Sequence, residues 1–209
     1  MKTITRPPAW KTMLAFAIIY FVWGSTFLAI RVGVREVPPF LFAAMRFTTA
    51  GLVLFGWVIL RGERLPNARQ WMSAALLGLL IFETDYGLLF WAEQRVPSGI
   101  AAVMLATIPV FMSLSEITIL RTQRVTLRLV LASAAGIGGV AVLMSHALNL
   151  GRAPIDRRGA AALMIASITW SIASTLPRKL SLPASKVMSA GAQMLSGGLM
   201  TRLTFCVRL

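Results

Sequence analysis

The chain contains one cysteine and one histidine in 209 residues. Cys206 alone can form neither an internal disulfide nor a thiolate metal cluster, and His146 alone leaves no multi-histidine ligand set. Neither structural nor catalytic zinc is expected, and no cofactor is called for. Charge is scarce as well: charged residues make up 13% of the chain, and only seven are acidic against 21 Lys and Arg. A water-soluble globule needs far more polar surface than this, which excludes a soluble fold. No removable leader is expected, because the first apolar run is too long for a signal-peptide h-region and no A-x-A type site follows it. That first segment is expected to stay and span.

What the chain does have is apolar length. Hydrophobic residues make up 57% of it and mean hydropathy is +0.75. Six clear apolar stretches run over Met13–Ile30, Phe40–Leu60, Trp71–Ala92, Gly99–Leu120, Leu127–Met144 and Gly159–Leu176, and a seventh begins at Val187. Each of the six approaches the roughly 20 residues that carry a helix across about 30 Å of hydrocarbon. The fold class expected is an all-α polytopic membrane protein.

The net charge of +14 does not mark a nucleic-acid binder, because the basic residues form no single face, arm or aromatic-interleaved patch. They cluster at the ends of apolar segments. Lys2, Arg6 and Lys11, then Arg61, Arg64 and Arg69, then Arg121, Arg124 and Arg128, then Arg178, Lys179 and Lys186 fall on one side of a seven-span map. Arg31, Arg35, Arg95, Arg152, Arg157, Arg158, Arg202 and Arg208 fall on the other. The richer set belongs in the cytoplasm, which places the N-terminus there. Trp10, Trp57, Trp71 and Trp91 lie near segment ends, as interfacial belt residues do. His146 closes segment five, where it reads as an interfacial polar residue.

Trp23 and Trp170 differ, because both lie inside their spans at matching positions. A shift of 147 residues aligns Ala15, Ile18, Trp23, Arg31, Ala43, Gly51 and Leu52 with Ala162, Ile165, Trp170, Arg178, Ala190, Gly198 and Leu199, without a gap. Five spans separate one copy from the next. Five is odd, so the second copy enters the membrane from the opposite side, and an inverted-repeat helical bundle is expected. Carriers use such repeats to exchange inward-open and outward-open shapes around a midplane site.

Several motifs then carry a family resemblance. They are Trp23-Gly24-Ser25-Thr26-Phe27; Pro38-Pro39 with Ala43 and Arg46-Phe47; Ala92-Glu93-Gln94 leading to Pro97-Ser98-Gly99-Ile100-Ala101-Ala102; Pro109; and Gly136 to Gly139. Together they resemble the EamA-type drug/metabolite transporters, nearest to the YedA-like exporters among them. The resemblance covers roughly residues 13–200. It implies a secondary-active carrier of the inner (plasma) membrane, built as five plus five helices, that exports small metabolites or amphipathic compounds, and not an enzyme.

In these terms residues 1–12 form a cytoplasmic N-terminus, 13–146 a first five-helix repeat, 147–158 a loop, 159–200 the start of a second repeat, and 201–209 an aberrant tail. Three departures from the pattern stand out. Two acids enter span three at Glu83 and Asp85; Thr122-Gln123 replaces a Gly-Glu pair; and after Met200 the polar run Thr201-Arg202 interrupts the seventh span. Helix seven is therefore expected to be incomplete. Two explanations stand side by side: a truncated, non-transporting fragment of an exporter, or a short form that completes itself as a homodimer. Gly136, Gly138 and Gly139 with Ala132 and Ala135 allow close backbone approach, and the resemblance makes span five a scaffold or dimer contact.

Ionisable residues inside spans are the first site candidates, because a charge at the bilayer centre costs at least ~2.5 kcal/mol. Arg46 lies about 10 Å in from Pro39 at 1.5 Å per residue, and Glu83 and Asp85 lie at similar depth. An ion pair between Arg46 and one of these acids would lower the burial cost, with either a structural or a substrate role. Glu83 and Asp85 stand about 200° apart around an α-helix, so one cavity accepts both only if the helix is broken. Glu83, the deeper of the two, is the favoured proton-coupling carboxylate, and Glu83→Gln is expected to abolish coupled export. Glu116 is expected in an interfacial ion pair.

Tyr20, Trp23 and Trp170, with Ser25 and Thr26, are candidates to line a cavity for a small-molecule substrate, and Pro109 is expected to kink helix four beside it. A membrane enzyme using Glu83, Asp85 and Arg46 is disfavoured, since no nucleophile with a matching base, no metal set and no phosphate loop accompanies them. The partners expected are the lipid bilayer and a small molecule, not nucleic acid.

Overall fold

A computed structural model describes residues 8–150 and 156–207 as seven helices, with no strand among the described residues. They are α1 (Ala9–Glu36), α2 (Pro39–Leu60), α3 (Ala68–Glu93), α4 (Ser98–Leu120), α5 (Leu127–Leu150), α6 (Arg157–Arg178) and α7 (Lys186–Val207). The six apolar stretches and the start of the seventh each became one of them. Five, α1 to α4 and α6, are long and apolar enough to cross a membrane; α5 has a shorter apolar stretch, Leu127–Val142. The chain is an all-α, multi-pass membrane protein.

Local chemistry sets the ends. Pro38 and Pro39 open α2, where the missing N–H of a first-turn proline costs nothing. Asn67 and Gln70 form a reciprocal capping box at the start of α3, and Asp156 accepts from the Gly159 N–H at 2.6 Å to cap α6. The short polar links Glu63–Asn67 and Arg121–Thr126 hold the turns; Arg121 takes the left-handed conformation, φ 54°, that ends α4.

Two spans are irregular. In α3, residues Leu79–Asp85 form a π-helical turn between α-helical halves, and Thr84 Oγ1 donates to the Leu79 carbonyl five residues back. In α4 the helix breaks at Ala106–Thr107, just before Pro109. Pro109 has no N–H to give and its ring clashes with the preceding turn, so the break falls where the chemistry requires it. A second π turn, Glu116–Leu120, ends α4.

The most extensive packing joins α2 to α7, the helices that the 147-residue shift makes equivalent. A Cβ on Gly51 would lie 2.7 Å from the Leu195 nitrogen, and one on Gly198 would lie 2.7 Å from the Thr48 nitrogen. The shift maps Gly51 onto Gly198 and Thr48 onto Leu195, so these two contacts are images of each other. Gly191 likewise meets Phe55 at 3.0 Å, so positions along α7 fall as positions along α2 rise. The helices cross antiparallel about a local two-fold axis.

Around this crossing lies an aromatic core. Phe47 of α2 meets Phe82 and Tyr86 of α3 at 4.6 and 4.8 Å, and Tyr86 meets Trp170 of α6 edge-on at 5.8 Å. Such offset pairs contribute beyond their area.

The helix does not stop at Met200. It continues to Val207, and Thr201 is fully buried, donating to the Gly197 carbonyl at 2.8 Å and reaching the Phe82 carbonyl at 3.5 Å. A threonine can sit there because its hydroxyl bonds back to its own helix. The helix thus runs on through Val207, with the Thr201 and Thr204 hydroxyls reaching α3 while Arg202, Leu203 and Cys206 stay exposed. On span five no atom lies within 4 Å of a Cβ placed on Gly136, Gly138 or Gly139. The side chain of His146 lies outside the described residues.

Candidate functional site

The irregular stretches of α3 and α4 meet α1, α2 and α6 around a cavity of about 270 Å³. Trp23 and Thr26 enter from α1, Arg46 from α2, Asp85 and Tyr86 from α3, and Trp170 from α6. The small residues Ala102 and Ala106, at the break before Pro109, make room on the α4 side. The two repeat-equivalent tryptophans therefore line one cavity.

Asp85 is 2% exposed, and its Oδ1 has no hydrogen-bond partner. Arg46 shares the lining but lies beyond 4.0 Å of any carboxylate, its guanidinium carbon instead 5.6 Å from the Phe47 ring. The expected Arg46–acid ion pair is thus not made. Among the described residues the salt bridge present is Arg178–Glu116, at 2.8 Å. Asp85 and Arg46 therefore line one cavity without pairing with each other.

Glu83 points elsewhere. Its Oε1 accepts from Thr204 Oγ1 of α7 at 2.8 Å, while Oε2 is buried without a partner. The π turn that separates it from Asp85 does not bring both acids to the cavity. Glu83 seats α7 against α3, and its partner lies in the segment that the sequence marked as a tail. Thr204→Val, which strands that carboxyl, is expected to destabilise the fold by about 1–3 kcal/mol, read as a lower melting temperature in detergent.

Of the other candidates, Tyr20 is 73% exposed and stacks on Phe16 at 6.2 Å, away from the lining. Ser25 and Thr26 both donate to the Val22 carbonyl, at 3.1 and 2.7 Å, and only Thr26 reaches the cavity. Tyr86 and Glu93 were missed. Tyr86 follows Asp85 directly, and an aromatic beside an intramembrane acid was the signal. Glu93 stood in the Ala92-Glu93-Gln94 motif, yet its position at the end of a span hid the fact that it is 1% exposed.

Glu116 does form an ion pair, with Arg178 and not with nearby Arg121. The Arg178 side chain is 60% exposed, so Arg178→Gln is expected to cost less than about 1 kcal/mol in thermal unfolding.

These helices and this cavity define a polytopic carrier-like bundle. Comparison with known families then gives its place: residues 10–145 match the EamA-like transporter family, and the chain belongs to that family. It is 37% identical over 186 residues to the uncharacterized inner membrane transporter YedA of Escherichia coli (strain K12), covering 88% of this chain and 58% of YedA. Protein PecM of Dickeya dadantii is 29% identical over 85% of this chain and 57% of its own length. A probable terminal-alkyne amino-acid exporter of Streptantibioticus cattleyicolor is 33% identical over 64% of this chain and 44% of its own. The chain thus spans less than two thirds of the length of these relatives. No solved structure matches it.

Proposed function

We propose that the chain is a secondary-active carrier polypeptide of the inner membrane, with its N-terminus cytoplasmic, that exports small amphipathic metabolites in exchange for protons. The observation that carries this reading is the cavity between Trp23 and Trp170, with Asp85 buried and unpaired on its wall and Arg46 facing the same space. Its volume, about 270 Å³, sits at the small end of ligand pockets and suits a metabolite-sized solute.

The lining selects a kind of molecule. Two indoles and Tyr86 give an apolar, aromatic chamber; Asp85 offers an anion to an ammonium group; Arg46 offers a planar guanidinium to a carboxylate. A zwitterion with an apolar body meets all three, and the printed name of the Streptantibioticus relative, an amino-acid exporter, supports that class. Coupling follows from Asp85. A proton on Asp85 neutralises it when the solute has left, and a cationic solute group displaces that proton on binding, so proton and solute occupy the site in turn. Exclusive occupancy of one carboxylate is sufficient for exchange.

The test is uptake into everted vesicles, the direction that corresponds to export from the cell, using radiolabelled leucine, phenylalanine and tryptophan with an imposed proton gradient. Gradient-driven accumulation that collapses when nigericin removes the gradient supports the reading. Accumulation of the whole panel equal to that of vesicles without the chain overturns it.

A further inference from the structure

The two repeat-equivalent arginines are caught in different arrangements. Arg178, at the end of α6, binds a carboxylate: its Nη1 lies 2.8 Å from Glu116 Oε1, and the next residue, Lys179, donates to the Ile119 carbonyl. Arg31, its counterpart in α1, binds backbone instead, donating from Nη1 to the Glu93 carbonyl at 3.0 Å and the Val96 carbonyl at 2.5 Å. A carboxylate stands beside it all the same. Glu93 is 1% exposed, and neither of its carboxyl oxygens has a hydrogen-bond partner.

Glu93 is itself buried, and its chain neighbours Phe90, Ala92 and Val96 are apolar and buried in the same core. An ionised carboxylate without hydrogen bonds in such surroundings is expensive, and a bound proton removes the charge. Other charges do not take this role. On its own chain segment Arg95 lies 3.8 Å over the Trp91 ring and donates to the Trp91 carbonyl. On α6, Asp156 caps its own helix while Arg157 and Arg158 are exposed. Arg35 of α1 is exposed, Arg46 of α2 lies in the cavity, and α4 carries no charge before Glu116. Arg31 is the cation whose field reaches Glu93.

We propose that Glu93 is a second proton-binding site, outside the cavity, at which the proton and the Arg31 guanidinium are alternative occupants. With Arg31 on the two carbonyls, Glu93 holds the proton as the neutral acid. When the guanidinium turns onto the carboxyl, as Arg178 has on Glu116, the carboxyl O–H bond breaks, the proton leaves to water and an ion pair remains. Charge is conserved, and no other reactant is needed. The carbonyls at the end of α3 lose their donor in the same movement, which ties protonation of Glu93 to the join between α1 and α3.

This site stands apart from the cavity, and its test reads the carboxyl itself and not transport. Infrared difference spectra of the full chain in lipid vesicles, recorded across a pH series, are expected to contain a carboxylic-acid stretching band that is absent in Glu93→Gln and still present in Asp85→Asn. In Arg31→Gln, where the competing cation is gone, that band is expected to persist to a pH higher by about 1 unit, a tenfold change in proton affinity. Arg31→Lys retains the wild-type midpoint. A spectrum unchanged by Glu93→Gln, or a midpoint unmoved by Arg31→Gln, overturns the proposal. Should Glu93→Gln fail to accumulate, Glu93→Asp serves, since it must displace the band or its midpoint; no displacement is a refutation.

Discussion

Asp85→Asn is expected to abolish gradient-driven transport while the protein accumulates and melts as the wild type does. Asparagine keeps the shape of the side chain and removes only the titratable oxygen, so packing against the aromatic core persists. Asp85 donates to and accepts from nothing in the hydrogen-bond network around it, and its Oδ1 is unpartnered, so the substitution breaks no structural bond. What is lost is the exchange of a proton for a cationic group at one carboxylate. The expected fall in gradient-driven flux is at least about 100-fold, in line with the 10²–10⁴-fold that a positioned proton-transfer group contributes. Flux of Asp85→Asn within a factor of two or so of the wild type removes Asp85 from the coupling step.

Gly198→Val carries the largest expected structural effect. A Cβ at Gly198 would stand 2.5 Å from the Thr48 hydroxyl and 2.7 Å from the Thr48 nitrogen, and the second contact is with backbone, which cannot turn away. The α2–α7 crossing must open to admit it, at a cost of about 3 kcal/mol, the upper range for overpacking. Because the shift-related Gly51 faces Leu195 across the same axis, Gly51→Val is expected to cost a similar amount. Thermal unfolding in detergent, with fluorescence-detected size exclusion, reads both. By contrast, Gly136→Val on α5 meets open space and is expected to leave the melting temperature unchanged.

Most of the fold was legible because a membrane leaves few choices. Uninterrupted apolar runs must be helices, and the runs ended where Pro38, Asn67, Pro97 and Asp156 begin the next element. The 147-residue shift that pairs Trp23 with Trp170 also pairs Gly51 with Gly198, and these two glycines make matching contacts across the antiparallel α2–α7 crossing.

What was not legible was rotation. Glu83 and Asp85 lie two residues apart, and depth alone favoured Glu83. A π turn over Leu79–Asp85 decides which acid meets the cavity, and π turns leave no periodic signature in so short a stretch. The same limit applied to Thr201 and Thr204. Their polarity suggested that span seven had ended, whereas one hydroxyl bonds back along its helix and the other seats Glu83. Tyr20 lay on the outer side of its helix for the same reason: a candidate chosen by residue type has no assigned face until neighbouring helices are known.

Thiol accessibility tests the central claim, that the cavity reached by Asp85 is the working site and the pocket holding Glu83 is packing. Cys206 is the one native thiol, so a Cys206→Ser background is silent. In that background, Asp85→Cys and Glu83→Cys would be placed singly and treated with a small charged methanethiosulfonate in membranes. The account predicts that Asp85→Cys is labelled and Glu83→Cys is not; labelling of Glu83→Cys with Asp85→Cys protected would contradict it.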